Sequence, residues 1–227
     1  MIIIGIIFIC FLLSIQYVRY IGYEKSEYKQ LTGTSFGKTF FNKGLYGEYL
    51  IVKELQKLPG KHKTLVNLYI PKSNGDTTEI DVIFIHESMI YVIESKNYSG
   101  WIYGRERDYK WTQVFQNKKK YKFYNPIKQN RSHIQHLQRL LSSVDEKFFY
   151  SLIVFSNRCT LKSIDIESEC IEVINRNRLH VVRKINALHR PDAIPVNLIY
   201  NKLLPYTNVE EQVKEKHMND LRKKHSS

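Results

Sequence analysis

The stretch IDVIFIHESMIYVIESKNYSG, residues 80–100, decides how this chain folds. Two runs of mostly apolar residues flank a short polar loop at 87–88, a spacing typical of an antiparallel β-hairpin. A two-residue loop at that point places Asp81 directly opposite Glu94. Because side chains alternate along a strand, Lys96 then lies on the same face as Glu94. The sequence therefore predicts two carboxylates and an ammonium at one end of an otherwise apolar hairpin.

The predicted pairing of Asp81 with Glu94 needs a neutralising partner, because like charges directly opposite each other destabilise a sheet. Hard cations such as Mg²⁺ bind oxygen ligands and often use only one or two carboxylates. The backbone carbonyl of Ser95 is a further candidate ligand. A third acid, Glu48, falls on the apolar stripe of a helix predicted over 44–60, so we expect it to face the sheet. The pattern indicates a divalent metal site.

The rest of the pattern predicts the order helix, strands, helix, strand. This order is typical of an α/β domain, and we expect a mixed sheet flanked by helices. The predicted strands cover 64–71, 79–86, 89–97, 99–104, 150–156 and 170–175. Besides the first helix, predicted helices cover 125–144, with a proline suited to its first turn, and 175–188.

The N-terminal segment MIIIGIIFICFLLSIQYV, residues 1–18, carries no charged side chain. A helix needs about 20 apolar residues to cross a bilayer, so this segment is predicted to be a transmembrane anchor. Lysine and arginine occur only after it, which predicts a single-pass protein of the cell membrane with its C-terminal domain in the cytoplasm. A buried helix and an atypical signal peptide are the alternatives. Residues 19–41 are predicted to be a linker, and residues 207–227 a charged tail.

The chain is strongly basic, with a formal net charge of +13 from 35 Lys and Arg against 22 Asp and Glu. This excess favours a polyanionic partner, either nucleic acid or an anionic membrane surface, over a merely basic soluble protein. The three cysteines form no CxxC pair and no even framework, which fits a reducing compartment. The chain also lacks the P-loop and dinucleotide-binding fingerprints.

Basic and aromatic residues alternate over residues 101–139, which hold ten Lys and Arg against two acids. Such mixing suits contacts with a nucleic-acid backbone and stacking on its bases. The alternative is a solvated basic loop whose aromatic residues fill the core, and Trp111 and Phe123 fit that role better. The candidate nucleic-acid contacts are Lys118, Lys119, Lys120, Lys122, Lys128 and Arg131.

Five blocks of the chain resemble the nuclease-related domain, NERD, of the PD-(D/E)XK nuclease superfamily. They are GLYGEYLIVKEL, EIDVIFI, IYVIESKNYSGWIYG, a tryptophan at position 111, and FYNPIKQNRSHIQHL. They span residues 42–141 in the order typical of that domain, which leaves 142–206 as a C-terminal part of the same α/β domain. One departure is the hairpin turn, where HESMI stands in place of an expected glycine.

The resemblance implies a restriction-endonuclease-like core and phosphodiester hydrolysis that depends on Mg²⁺ or Mn²⁺. Its matching residues are Asp81 and Glu94 as metal carboxylates, Lys96 as the catalytic lysine, Glu48 as the helix-borne acid and Gln129 as a downstream glutamine. The glutamine could orient a water or a phosphate.

Three functions are compatible with these features. The first is a membrane-anchored, metal-dependent nuclease, with DNA as the expected substrate. The second is a non-catalytic nucleic-acid-binding module with the nuclease fold, and the third is a membrane-associated scaffold that binds anionic lipid. The acid cluster favours the first, because a pure binder gains nothing from holding like charges together. The sequence leaves open the cleavage mode, the substrate preference and the oligomeric state.

Overall fold

A computed structural model describes residues 2–72, 75–188 and 193–207 of the chain. The predicted α/β class with a mixed sheet flanked by helices is confirmed, but the strands form two mixed sheets instead of one. All but the first residue of the predicted charged tail lies outside the described residues.

The strands and helices have the following bounds. The strands are β1 (His62–Pro71), β2 (Thr77–His86), β3 (Met89–Lys96), β4 (Gly100–Arg105), β5 (Lys110–Val114), β6 (Lys120–Tyr124), β7 (Phe149–Phe155), β8 (Cys159–Asp165) and β9 (Ile171–Asn175). The α-helices are α1 (Ile2–Glu24), α2 (Glu27–Thr32), α3 (Phe36–Phe41), α4 (Lys43–Leu55), α5 (Pro126–Leu140), α6 (Val181–Ala187) and α7 (Val196–Leu203).

The larger sheet has the strand order β1-β2-β3-β7-β9. Strands β2 and β3 pair antiparallel, with Val82 opposite Ile93 and His86 opposite Met89, which confirms the predicted hairpin register. Strand β3 then runs parallel to β7, and β7 parallel to β9. Helices cover both faces of the central strands, as parallel sheets require, so the acid-bearing hairpin lies in the middle of the core.

Two hydrophobic clusters lie on opposite faces of this sheet. Ile51 and Leu55 of α4 share one cluster with Val82 of β2. Leu137 of α5 shares the other with Ile83, the next residue along the same strand. Helices α4 and α5 therefore sandwich the hairpin, and side chains from both helices can reach its end.

The smaller sheet has the order β6-β5-β4-β8, and three of its strands were not predicted. Strand β6 is exposed at four of its five positions, and β8 is exposed or half-buried at all positions but one. Strand β8 therefore lacks the regular hydrophobic alternation that identifies a strand in sequence, and in β6 the aromatic residues that alternate with lysines are mostly exposed. Trp111 of β5 is fully buried, as expected, and packs with Ile102 and Phe155 in a third cluster.

The N-terminal helix α1 extends six residues past the predicted anchor. It is long and apolar enough to cross a membrane, and its most apolar window is not buried against the rest of the protein. A buried core helix does not have this exposure, so the alternative that residues 1–18 form a buried helix is wrong.

The segment predicted as a linker, residues 19–41, is instead folded onto the domain. Tyr23 and Tyr28 are fully buried, and the Tyr23 ring lies 5.3 Å from that of Tyr49 on α4. The Tyr23 hydroxyl also donates a hydrogen bond to the carbonyl of Thr34 at 2.7 Å. Helices α2 and α3 have only six residues each and are marginal in isolation, so tertiary packing of aromatic rings decides their structure.

Candidate metal and nucleic-acid site

The two paired carboxylates lie where the β2–β3 hairpin ends. Register pairing stops at Val82 and Ile93, immediately before the position at which Asp81 would face Glu94. There Oδ2 of Asp81 accepts a hydrogen bond from the backbone N–H of Ser95 at 2.8 Å. The hairpin therefore brings both predicted metal carboxylates to the same strand end.

Lys96 contacts both its own strand and helix α5. Its Nζ lies 2.6 Å from Oε1 of Glu94 and donates a hydrogen bond to Oε1 of Gln129 at 3.1 Å. Although burial opposes the charge, Glu94 and Asp81 raise the pKa of Lys96. The structure thus places the cationic Lys96 between two other predicted site residues, Glu94 and Gln129. The catalytic roles of all three stay predictions.

His133 of α5 is a neighbour of the site that the sequence analysis did not single out. It is buried, its Nδ1 lies 2.8 Å from Oγ1 of Thr78, and its Nε2 lies 3.3 Å from Oε2 of Glu94 without the alignment of a hydrogen bond. Burial opposes ionisation of Glu94, but Lys96 and His133 lower its pKa to about 2. The i, i+4 spacing from Gln129 could have identified this histidine, because both then lie on one helix face.

Glu48 approaches from the other side of the sheet, on α4. It is buried as predicted, and its Oε2 accepts a hydrogen bond from the Tyr28 hydroxyl at 3.0 Å. Burial raises the pKa of Glu48 to about 7, despite that hydrogen bond. Tyr28 escaped prediction because it lies in the segment that was treated as a linker.

Burial and the neighbouring acids disfavour the charged form of Asp81. Burial, followed by the charges of Glu94 and Glu48, raises the pKa of Asp81 well above its usual range. Oε2 of Glu94 is buried and accepts no hydrogen bond from the described residues. Clustered carboxylates with an unused oxygen fit a hard divalent cation, which would remove the repulsion.

The ligand set for such a cation is small. The described part of the chain contains no group of three or more His, Cys, Asp and Glu side chains placed to hold a metal ion. Asp81 and Glu94 would hold the cation with the carbonyl of Ser95, and the other positions would fall to water or substrate oxygens. Magnesium sites often have this composition.

The predicted nucleic-acid contacts fall in two places. Lys118, Lys119, Lys120 and Lys122 are exposed on the β5–β6 hairpin. On α5, Lys128 is half-buried, and Arg131 is exposed but forms an ion pair of 2.6 Å with Glu106. The hairpin lysines are open to a polyanion, whereas Arg131 already has an acidic partner.

A family model for the nuclease-related domain matches residues 43–156, half of the chain. The chain belongs to the NERD family. The NERD family is part of the PD-(D/E)XK nuclease superfamily, which confirms the resemblance noted in the sequence. The NERD match covers every element from α4 to β7. It therefore includes all of the site residues named above except Tyr28.

A relative of this NERD protein comes from Bacillus anthracis and is described only as an uncharacterised protein. The two are 34% identical over 184 residues, which cover 80% of this chain and 85% of the relative. No solved structure gives a significant match.

Proposed function

We propose that this NERD protein is a metal-dependent nuclease that hydrolyses phosphodiester bonds in nucleic acid, with DNA as the expected substrate. One observation carries the proposal. Glu94 is buried beside the carboxylate of Asp81 and pairs with Lys96 at 2.6 Å, while its second oxygen accepts no aligned hydrogen bond and lies 3.3 Å from Nε2 of His133. A binding surface would gain nothing from such a cluster.

The side chains have separate tasks in this proposal. Bound by Asp81 and Glu94, Mg²⁺ or Mn²⁺ would supply Lewis acidity and lower the pKa of a bound water. Lys96 stabilises the negative charge that develops on the phosphate, an effect that is strong in a partly buried site. Gln129 holds the lysine from α5 and so fixes where its charge acts.

We infer that α1 spans the membrane and leaves the domain on the cytoplasmic side. A cleaved signal sequence could have the same length and composition. However, the end of α1 carries Tyr23, which is fully buried in the domain, and this packing supports a retained helix. A C-terminal reporter that is active only in the cytoplasm tests the orientation, and an inactive reporter would contradict it.

A cleavage assay tests the proposed reaction. The full-length protein in detergent micelles is incubated with single- and double-stranded DNA and RNA, in Mg²⁺, Mn²⁺ or EDTA. We expect metal-dependent cutting that falls by about 10²-fold or more in Asp81→Asn and in Lys96→Met. The exposed Lys202→Met variant, on α7 away from the proposed site, is the matched control and should retain most of the activity.

Other outcomes separate the alternatives. No cutting of any substrate, with salt-sensitive binding that is unchanged in both site variants, would indicate a non-catalytic binding module. Binding to anionic vesicles but not to nucleic acid would indicate a membrane-associated scaffold.

A further inference from the structure

A polar recess lies next to the acids, between α4 and the carboxyl ends of the parallel strands β3 and β7. It is shallow, and the roughly 160 Å³ of space between its walls is open to solvent. Its polar lining consists of Ser95, Lys96, Asn97, Ser156 and Arg176. Among the described lining residues there is no carboxylate, and because the Lys96 ammonium is paired with Glu94 at 2.6 Å, Arg176 is the cation that gives the recess its positive charge.

Arg176 is the unusual member of this lining. It follows β9, outside the residues matched by the family model, and it is half-buried. Within the described residues, no side chain or carbonyl forms a hydrogen bond or ion pair with its guanidinium. Tyr46 and Glu54 act on Arg176 only through electrostatics, and Glu54 is itself paired with Lys57 at 2.8 Å. A guanidinium has five donors, and a half-buried one favours an acceptor from outside the chain.

The wall of the recess is fixed before any ligand arrives. Arg158 donates to both the backbone carbonyl and the side-chain oxygen of Asn97, each at 2.9 Å. The Asn97 amide in turn donates to the carbonyl of Lys43. At Gly47, an added Cβ would stand 3.1 Å from Oγ of Ser95, so a larger residue would crowd the recess. These bonds hold the wall in place and leave the guanidinium of Arg176 and the hydroxyl of Ser95 as the donors that can meet an anion.

The recess and the acid cluster share parts of the chain. The N–H of Ser95 donates to Asp81, while the same residue lines the recess. Gly47 lines the recess, and its neighbour Glu48 is one of the acids. The recess and the acids therefore lie at the same end of strand β3.

We propose that this recess binds a second phosphate of the nucleic-acid strand, adjacent to the phosphate at the acids, with the guanidinium of Arg176 as its main ligand. The proposal rests on the proposed function, since it extends the same substrate. A planar guanidinium matches two phosphate oxygens, and the Ser95 hydroxyl adds a donor. The group could be an internal phosphodiester or a terminal phosphate, which have the same recognition chemistry.

Binding of a short fluorescent oligonucleotide to the full-length protein in detergent micelles tests this site. EDTA is present, so that cutting does not complicate the measurement. We expect Arg176→Gln to weaken binding about tenfold, because a charge-assisted pair is lost. The slope of log K against the logarithm of the salt concentration should become shallower by about one, as expected for the loss of one phosphate contact.

Arg178→Gln is the matched control, because Arg178 is exposed on the same short 3₁₀ turn. It should bind with nearly unchanged affinity. Equal weakening in the Arg176 and Arg178 variants, or none in the Arg176 variant, would overturn the proposal. If Arg176→Gln fails to fold, Arg176→Lys decides the question, since it keeps the charge but loses the planar fork. Its affinity should be clearly reduced, and unchanged affinity would count against the site.

Oligonucleotides with and without a 5′-phosphate distinguish the two sources of the group. An effect of Arg176→Gln confined to the phosphorylated strand assigns the recess to a terminal phosphate, and an equal effect on both assigns it to an internal one. Cutting is measured separately in Mg²⁺. If Arg176→Gln weakens binding but the parent protein never cuts, the phosphate site is supported and the nuclease proposal is refuted. If the parent cuts and Arg176→Gln binds as the parent does, the nuclease proposal is supported and the phosphate site is refuted.

Discussion

The two sheets of this protein handle charge in opposite ways. In the larger sheet, β7 is buried at every position and β3 at all but its last two, and at the end of the hairpin two acids lie beside one half-buried lysine. In the smaller sheet, β6 is mostly exposed, and its charges are lysines in solvent. Burial makes electrostatic interactions strong and costly, while exposure makes them weak but accessible at long range. The buried sheet therefore suits chemistry, and the exposed one suits the capture of a polyanion.

The largest effect on stability is expected from the lysine of the buried sheet. Lys96→Met leaves Glu94, which is only 2% exposed, without its cation. Breaking a buried pair in this way costs about 3–5 kcal/mol, and we expect the free energy of unfolding to fall by that amount in denaturant titrations. The exposed Lys120→Met on the other sheet should change it by less than about 0.5 kcal/mol. Similar effects in both variants would remove the contrast between the sheets.

A second prediction concerns the covered face of the smaller sheet. Trp111 is fully buried and stacks on Phe155 of the larger sheet, with ring planes inclined by 6°. Trp111→Ala should lower the free energy of unfolding by about 3 kcal/mol, through lost burial and the cavity that remains. Tyr121→Ala, from the exposed side of the same sheet, serves as control and should have little effect. A small effect of Trp111→Ala would mean that both faces of the smaller sheet are exposed to solvent.

A smaller, pH-dependent effect is expected where the smaller sheet meets α5. Burial of Glu106 opposes its charge, but hydrogen bonds from Ser168 and the N–H of Glu167, with help from Arg131, lower its pKa to about 2. Because the folded-state pKa is depressed, this carboxylate stabilises the fold above about pH 4.5 and loses that contribution as the pH falls towards 2.

The melting temperature of Glu106→Gln should therefore lie below that of the parent protein at neutral pH and approach it in acid. The exposed Glu169→Gln is the control and should follow the parent at every pH. A constant difference between the Glu106 variant and the parent across the range would refute the assignment.

The smallest effects are expected from single lysines of the β5–β6 hairpin. Lys119→Gln should weaken binding of every nucleic-acid sequence alike and lower the salt dependence by about one unit, because an exposed lysine contacts phosphate and not bases. Arg131→Gln should change binding less, since its guanidinium is paired with Glu106. A larger loss for Arg131 than for Lys119 would move the capture surface from the hairpin to α5.

The sequence was sufficient for the buried sheet because its hydrophobic pattern is strong and its loop is short. The register of β2 and β3 follows from these two features, and it places Asp81, Glu94 and Lys96 correctly at one strand end. Strand β8 was missed because it has no regular alternation in polarity, and β6 was missed because its lysines and exposed aromatic residues were interpreted as nucleic-acid contacts. Tyr28 and His133 were missed because contacts between distant segments place them at the acids.

The packing of α1 and α2 onto α4 has a consequence for where the protein can work. Tyr23 and Tyr28 are buried without a flexible spacer between the apolar helix and the domain. Anchored as proposed, the domain has no tether to extend, and its site stays within a thin shell beside the bilayer. The rate of cutting would then depend on how often a nucleic-acid strand passes through that shell. The bulk concentration of nucleic acid would affect the rate only by changing how often this happens.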